Sequence, residues 1–251
     1  LEIRLKARAL THQRFYFPPD ALEAGSIRFQ RGESSHMTSS LRLTTGDRVS
    51  ATDGQGRVYE VAIDTAKGGN VVGTVLKTES VERPAPSIFI FQGLCRSSSM
   101  GTALEKCVEL GIDGFVPVAV ERSVRPLGER RLERLRRVAV EAMKQSLGAY
   151  LPEVHAPQTF EDALGVLSGF DLALVASELE RQRTLIDVER LTEASRIAAW
   201  IGPEGGFTET ETRSLCDRGA VTFSLGDHRL RSETAAIATV AAIRTLCSPQ
   251  A

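Results

Sequence analysis

Apolar and polar residues alternate with a period of two along the chain up to about residue 80, and the spacing becomes helical only beyond it. Val58-Tyr59-Glu60-Val61-Ala62-Ile63 and residues 70–76 read as strands. Asp53-Gly54-Gln55-Gly56 is a hairpin signal between Arg48-Val49-Ser50-Ala51 and the strand that follows. With no helix-period stretch of any length between residues 15 and 80, the pattern predicts a small β-barrel-like domain over residues 1–80. Val81-Glu82-Arg83-Pro84-Ala85-Pro86-Ser87 then places two prolines in a polar setting, which reads as a linker.

From residue 87 to 251 strands and helices alternate, which predicts a second domain of α/β class. Ile88-Phe89-Ile90-Phe91 and Phe115-Val116-Pro117-Val118 are strands, and Thr102 with Glu105 forms a capping-box signature for a helix that buries Leu104, Cys107 and Val108 and stops at Gly111. Leu132, Leu135, Ala139, Ala142 and Met143 make a helical stripe across residues 129–146, with Gly148 as its stop, and a shorter helix is expected over 159–167. Three more strands are expected at 172–175, 197–201 and 221–225. They run into the loops Ser177-Glu178, residues 202–208, and Gly226-Asp227-His228-Arg229-Leu230-Arg231. The second and third loops lead to helices signalled by Thr208 with Glu211 and by Ser232 with Glu233. Such alternation implies a parallel sheet with right-handed crossovers, so these loops share the rim at the strands' carboxyl ends, where open α/β sheets bind ligands.

Ile201-Gly202-Pro203-Glu204-Gly205-Gly206-Phe207 stands out on that rim. Residues without a Cβ allow strained angles and close backbone approach, so the loop reads either as a tight strand-to-helix turn or as a ligand cradle. Its neighbours on the rim favour the cradle. Trp200, one aromatic inside a strand, reads as core.

Composition narrows the chemistry. The 251 residues carry a net charge of −1 and 42% hydrophobic residues, the balance of a soluble globular protein, with no apolar run long enough for a membrane span. Cys95, Cys107, Cys216 and Cys247 lack C-x-x-C spacing and His12, His36, His155 and His228 lie far apart, so neither a metal site nor a disulfide framework is expected. Residues 1–14 are studded with arginine and lysine and offer no secretory signal, which makes the cytoplasm the expected location. Positive charge is clustered in Arg8, Arg14, Arg42, Arg122, Arg125 and the run Arg130, Arg131, Arg134, Arg136 and Arg137. The run is either a solvated helix face or a set of phosphate contacts for an anionic polymer.

The pairing of Ile201-Gly-Pro-Glu-Gly-Gly-Phe207 with Leu225-Gly-x-x-x-Leu230-Arg231-Ser232-Glu233-Thr234-Ala235-Ala236 resembles the RsmE-type family of uracil-N3 methyltransferases. Further matches lie at Glu109-Leu110-Gly111-Ile112, Pro117 with Glu121-Arg122-Ser123, Glu141-Ala142 with Gln145-Ser146, Pro152, Arg14-Phe15-Tyr16-Phe17-Pro18, and Leu41-Arg42-Leu43 with Gly46-Asp47, so the resemblance covers nearly the whole chain. It implies a PUA-like RNA-binding domain followed by a SPOUT trefoil-knot domain that binds S-adenosyl-L-methionine and pairs into a homodimer through the knot. The implied substrate is N3 of a uridine in the 16S ribosomal RNA of the small (30S) subunit, and no membrane partner is expected.

The resemblance further implies that Ser177, Glu178, Ile201, Gly202, Pro203, Glu204, Gly205, Gly206, Leu225, Gly226, Leu230, Arg231, Thr234 and Ala235 hold the cofactor. Uridine N3 must lose a proton and its charge must spread onto the ring oxygens, which calls for a base or a path to water and for a hydrogen-bond donor. Arg231 is the candidate donor, and Glu204 and Glu233 are the rim carboxylates. Arg8, Arg14, Arg42, Arg122 and Arg125 are the candidate RNA contacts. The chain departs from the family pattern at Ser39, at Gly148-Ala149 and across Arg96-Ser97-Ser98-Ser99-Met100, where positive charge is usual. Those departures keep two alternatives open: a weak or inactive paralogue acting as an RNA-binding or ribosome-assembly protein, or a SPOUT methyltransferase with another RNA target. A nucleotide hydrolase is disfavoured, since the chain has no G-x-x-x-x-G-K-[ST] loop.

Overall fold

The computed structural model describes residues 13–67, 69–124 and 126–248, which divide into two compact units. The first comprises the residues up to Arg83 together with Val140–Leu151, and the second comprises Pro84–Ala139 and Pro152 onward. A single cut at the linker would have left 140–151 in the second unit.

The first unit is a six-stranded sheet with the order β1-β4-β5-β6-β3-β2. Its strands are β1 (Arg14–Tyr16), β2 (Leu22–Glu23), β3 (Ser26–Arg28), β4 (Arg48–Thr52), β5 (Arg57–Lys67) and β6 (Asn70–Ser80). The alternation in β5 buries Tyr59, Val61 and Ile63 against Phe15, Phe17 and Phe29, as a half-buried antiparallel strand should. The expected absence of helix is corrected by α1 (Arg31–Ser35), continued by a π turn at His36–Ser40. One turn is too short to show a period, and tertiary contacts hold it: Ser34 Oγ donates to Phe29 O and accepts from Val71 N.

Val140–Leu151 joins this unit through backbone bonds from Gly56 N to Ala149 O (2.9 Å) and from Leu151 N to Gly54 O (2.9 Å). Gly56 there has φ +89°, a left-handed conformation that favours glycine, and packs against the Tyr150 ring. Lys144, with 8% of its side chain exposed, pairs with Glu33, at 12%.

The second unit is a parallel sheet ordered β10-β8-β7-β12-β11-β13, with β9 beside β8. Its strands are β7 (Ser87–Gly93), β8 (Gly114–Ala119), β9 (Glu153–Val154), β10 (Gln158–Thr159), β11 (Leu172–Ala176), β12 (Arg196–Ile201) and β13 (Val221–Phe223). The helices are α2 (Ser97–Glu109), α3 (Glu129–Gln145, whose last turns belong to the first unit), α4 (Phe160–Gly165), α5 (Glu209–Asp217) and α6 (Ser232–Cys247). Five of the six residues of β12 are buried, the continuous apolar run expected of a strand covered on both faces. Trp200 is core, fully buried and stacked on Phe91 at 4.6 Å. A parallel α/β sheet that follows a PUA-like β unit along the chain is the fold class that the resemblance implies.

Helix starts were less legible. α2 begins at Ser97, five residues before Thr102, with Arg96 at the cap and no side-chain cap bond, so the Thr102 and Glu105 signature lies inside the helix. The capping box of Thr208 and Glu211 forms as expected. Ser232 is the first residue of α6, and its hydroxyl is used elsewhere.

Candidate functional site

The loops after β11, β12 and β13 and the first turn of α6 enclose a cleft with about 610 Å³ of empty space, open at its mouth. Its floor is the 201–206 loop, closed by Gly206 N donating to Pro203 O at 2.9 Å. Gly206 has φ +69°, in the region glycine occupies without strain. A Cβ on Gly202 would sit 2.9 Å from Gly206 Cα, and one on Gly93, at the end of β7, would sit 2.5 Å from Pro203 Cδ. Glycine is therefore needed to fold this loop flat and to let it lie on the end of β7.

A buried polar joint fixes the loop beneath the cleft. Gln92, wholly buried at the end of an apolar strand, donates from Nε2 to Ser232 Oγ at 2.8 Å, and Ser232 Oγ donates to Gly202 O at 2.5 Å. Two motifs 30 residues apart thus meet on one side chain. Glu204 Oε1 accepts from Arg96 N at 3.1 Å, while its Oε2 is buried without a partner, an acceptor left for whatever fills the site.

Charges ring the mouth. Arg229 Nε lies 3.0 Å from Glu178 Oε2, and Arg122 Nη1 donates to Gly205 O at 2.8 Å. Beyond β11, Glu180 accepts from the backbone N–H groups of Gln182 (3.0 Å), Arg183 (3.2 Å) and Arg181 (3.0 Å) and from Thr222 Oγ1 (3.0 Å). The bonds from Gln182 and Arg183, then Thr222, hold its carboxyl down at about 2. A depressed carboxyl stabilises the loop above the ordinary carboxylate range, and that contribution is lost as the pH falls through the folded value. Glu180→Ala is therefore expected to speed amide exchange at residues 181–183 by roughly tenfold at neutral pH. The wild-type amides should stay protected until the pH drops well below 4.5, toward 2. Unchanged exchange in the variant would show that the carboxylate does not order the loop.

Of the expected cofactor residues, Ser177, Glu178, Ile201, Gly202, Pro203, Glu204, Gly206, Leu225, Gly226, Leu230 and Ala235 line the cleft. Gly205, Arg231 and Thr234 do not; Gly205 lies under Arg122, where a Cβ would meet Arg122 Cβ at 3.2 Å. Arg231 is the N-cap residue of α6 and its side chain is exposed. Glu233 is half-buried in the first turn of that helix. Ala176, His228, Arg229 and Ser232 also line the cleft; the last three lie in the second motif or its loop, but none of the four was among the expected cofactor residues. Gln92 and Gly93 were missed too, and the available signal was a polar residue and a glycine ending an otherwise apolar strand.

Among the RNA candidates, Arg14 is occupied internally: its guanidinium donates to Leu147 O and Gly148 O, and burial pushes it down from its usual range. Arg42 is exposed with φ +55°, Arg122 is exposed beside Gly205, and Arg8 and Arg125 lie outside the described residues. Among the described residues no cluster of three His, Cys, Asp or Glu could hold a metal ion, and no helix is long and apolar enough to cross a membrane.

Residues 82–244 match the family model described as an RNA methyltransferase domain, and residues 29–76 match an RNA methyltransferase PUA domain. The ribosomal RNA small subunit methyltransferase E of Bacillus subtilis is 28% identical over 231 residues, covering 88% of this chain and 90% of that relative. The crystal structure of the Neisseria gonorrhoeae protein of the same name, bound to S-adenosyl methionine, has a TM-score of 0.84 at 26% identity, covering 93% of this chain and 97% of that one. A probable rRNA-methyltransferase from Porphyromonas gingivalis is 31% identical with a TM-score of 0.80, over 93% and 98% of the two chains.

Proposed function

The chain belongs to the RNA methyltransferase family, and from that membership we propose that it transfers a methyl group from S-adenosylmethionine to N3 of a uridine in the 16S RNA of the small ribosomal subunit. The observation that carries the reading is the single cleft formed by the 201–206 loop, the 225–230 loop and Ser177-Glu178, all at the carboxyl ends of parallel strands.

The cleft fits adenosylmethionine on its own chemistry. Glycines flatten the floor so that backbone amides and carbonyls are within reach of a ligand, and Ile201, Leu225, Leu230 and Ala235 offer apolar contact to a flat ring. The partnerless Glu204 Oε2 gives negative charge where a cationic ligand needs it, while Glu178 is paired with Arg229 at the mouth. Adenosylmethionine supplies an electrophilic methyl and its own leaving group, so the protein's task is to hold and orient. Gln92 and Ser232 keep the two loops in register, and Arg229 braces Glu178 and reaches Glu204 O at 3.4 Å.

Arg231 lies outside the cleft lining but between two residues that form it, Leu230 and Ser232. It is the donor assigned to the uracil oxygens, and Glu233 and Glu204 are the carboxylates within the same loop cluster. Arg231→Ala is expected to lower methyl transfer by about a hundredfold, the scale of losing one charge-stabilising donor, with cofactor affinity unchanged. Transfer within a few-fold of wild type would remove Arg231 from the chemistry.

The deciding experiment is transfer of labelled methyl from adenosylmethionine to purified 30S particles, followed by nucleoside analysis. Product at N3 of uridine is expected, and product at a ring carbon or ribose oxygen would overturn the specificity. The first unit takes the role of an RNA-binding domain, the protein works in the cytoplasm, and two copies pair through the second unit. Light scattering in solution should give twice the 27.3 kDa chain mass.

A further inference from the structure

A second cavity, with about 930 Å³ of empty space including its open side, lies within the second unit between the end of β7, the first turns of α2 and the start of α3. Two members of the arginine run noted in the sequence, Arg131 and Arg134, line it, but nothing in the sequence showed that a cavity lay beside them. Its floor is apolar: Leu94, Met100 and Leu135 are at most 5% exposed. Its edge carries Arg131 and Arg134, one helical turn apart on the same face of α3. Arg131 donates to Pro126 O and reaches Ser97 Oγ at 3.5 Å, whereas Arg134 is exposed and makes no hydrogen bond or ion pair among the described residues. Glu105, the one acid on the lining, is neutralised by Lys106 at 2.8 Å. A flat apolar floor with an unopposed cationic edge is what a nucleotide needs, the base lying on hydrocarbon and the phosphate on arginine.

The cavity adjoins the cofactor cleft. Cys95 lines it, and Arg96, the next residue, donates its backbone N–H to Glu204, which lines the cleft. Burial, with Glu204 and Glu233 adding, pushes the Cys95 thiol up to about 12, so this partition is neutral and unreactive at physiological pH. A methyl acceptor in RNA must be drawn out of its stack, and the displaced nucleotide or its neighbour then needs a place to rest.

We propose that this cavity receives one unstacked nucleotide of the RNA substrate, with its base on Leu94, Met100 and Leu135 and its phosphate on Arg131 and Arg134. The proposal rests on the RNA reading given above. A nucleotide fits by charge complementarity, since two arginines at one edge of an apolar floor suit a phosphate attached to a ring.

Two variants separate a pocket from a merely basic surface. A Cβ at Gly101, which lines the cavity from α2, would meet nothing within 4 Å, so Gly101→Leu starts its side chain in open space and takes up cavity volume. Arg134→Ala removes the unpaired cation. The full chain, held with S-adenosylhomocysteine, is titrated with a fluorescent uridine-containing single-stranded RNA at several salt concentrations.

Gly101→Leu is expected to weaken RNA binding by about tenfold with the salt slope unchanged, and Arg134→Ala to weaken it by a similar factor with a slope smaller by about 0.7, that of one single-strand phosphate contact. Both should bind S-adenosylhomocysteine as the wild type does. If Gly101→Leu binds RNA like the wild type, the cavity is not the site, whatever Arg134→Ala does; absence of RNA binding by the wild type would overturn it as well. Should the predicted pattern appear in a protein that transfers no methyl to 30S particles, the nucleotide site stands and the methyl-transfer reading fails.

Discussion

Gly93→Ala is expected to remove most of the chain's affinity for adenosylmethionine, although Gly93 does not line the cleft. Its added methyl would lie 2.5 Å from Pro203 Cδ, 2.8 Å from Pro203 N and 3.2 Å from Gly202 C, and two of these three are backbone atoms that cannot rotate away. The loop must lift off the end of β7, which strains the bonds from Gln92 Nε2 to Ser232 Oγ and from Ser232 Oγ to Gly202 O. Overpacking of this kind costs about 1–3 kcal/mol, and at 1.4 kcal/mol per decade that is roughly a five- to hundredfold loss if it falls on the binding-competent loop. Gly165→Ala, whose methyl would meet nothing within 4 Å, is the control and should bind normally. Calorimetric titration of both variants decides the matter: wild-type affinity in Gly93→Ala would mean that the loop tolerates displacement.

The largest stability effect is expected in the first unit. Lys144 and Glu33 face each other with 8% and 12% of their side chains exposed, and Glu141 Oε1 lies 3.0 Å from the same ammonium. Burial lowers Lys144, but Glu33 and Glu141 outweigh it and hold the ammonium above its usual range, whereas burial drives Glu33 up. The two shifts pull the pair in opposite directions; we take it as ionised, because a neutral Glu33 would deprive Lys144 of its closest buried counter-charge. Lys144→Ala strands that carboxylate and should cost about 3–5 kcal/mol in urea unfolding. Glu33→Gln combined with Lys144→Met should recover most of it, since a buried pair is often replaceable when both charges go. A raised lysine stabilises below its unfolded value and the contribution is lost as pH rises through the folded one, so the wild type should weaken on the alkaline side of the lysine range. A Lys144→Ala protein as stable as the wild type would show the pair to be incidental.

How far the sequence could be read depended on how local each signal was. The 58–63 strand, the Asp53-Gly54-Gln55-Gly56 hairpin, the stripe from Leu132 to Met143 and the Thr208 capping box all formed as expected, because each is a period or a cap set by residues a few positions apart. Thr102 with Glu105 misled because a capping box is equally compatible with a helix interior, and the serines preceding it gave no stronger start. α1 stayed hidden because one turn held by Phe29 and Val71 has no period to show.

The candidate site divides in the same way. Eleven of the fourteen expected cofactor residues line the cleft, since a glycine-rich loop and a second loop opening on Gly226, each at the end of an apolar strand, declare backbone exposure directly. Sequence spacing could not tell that Arg14 would be spent on Leu147 O and Gly148 O, that Gly205 would lie beneath Arg122, or that Arg231 would fall outside the cleft lining.

By itself the sequence determined the change from period two to alternating strand and helix, the parallel sheet this implies, and the loops that form the cleft. Only the tertiary structure decided that Gln92 and Ser232, 140 residues apart, meet in a buried hydrogen bond, that Gly93 is pressed against Pro203, and that an apolar floor with a free Arg134 lies beside the cleft. The reason is physical. Periodicity and turn chemistry are properties of neighbouring residues, while close packing and the satisfaction of buried polar groups depend on which distant segments occupy the same volume.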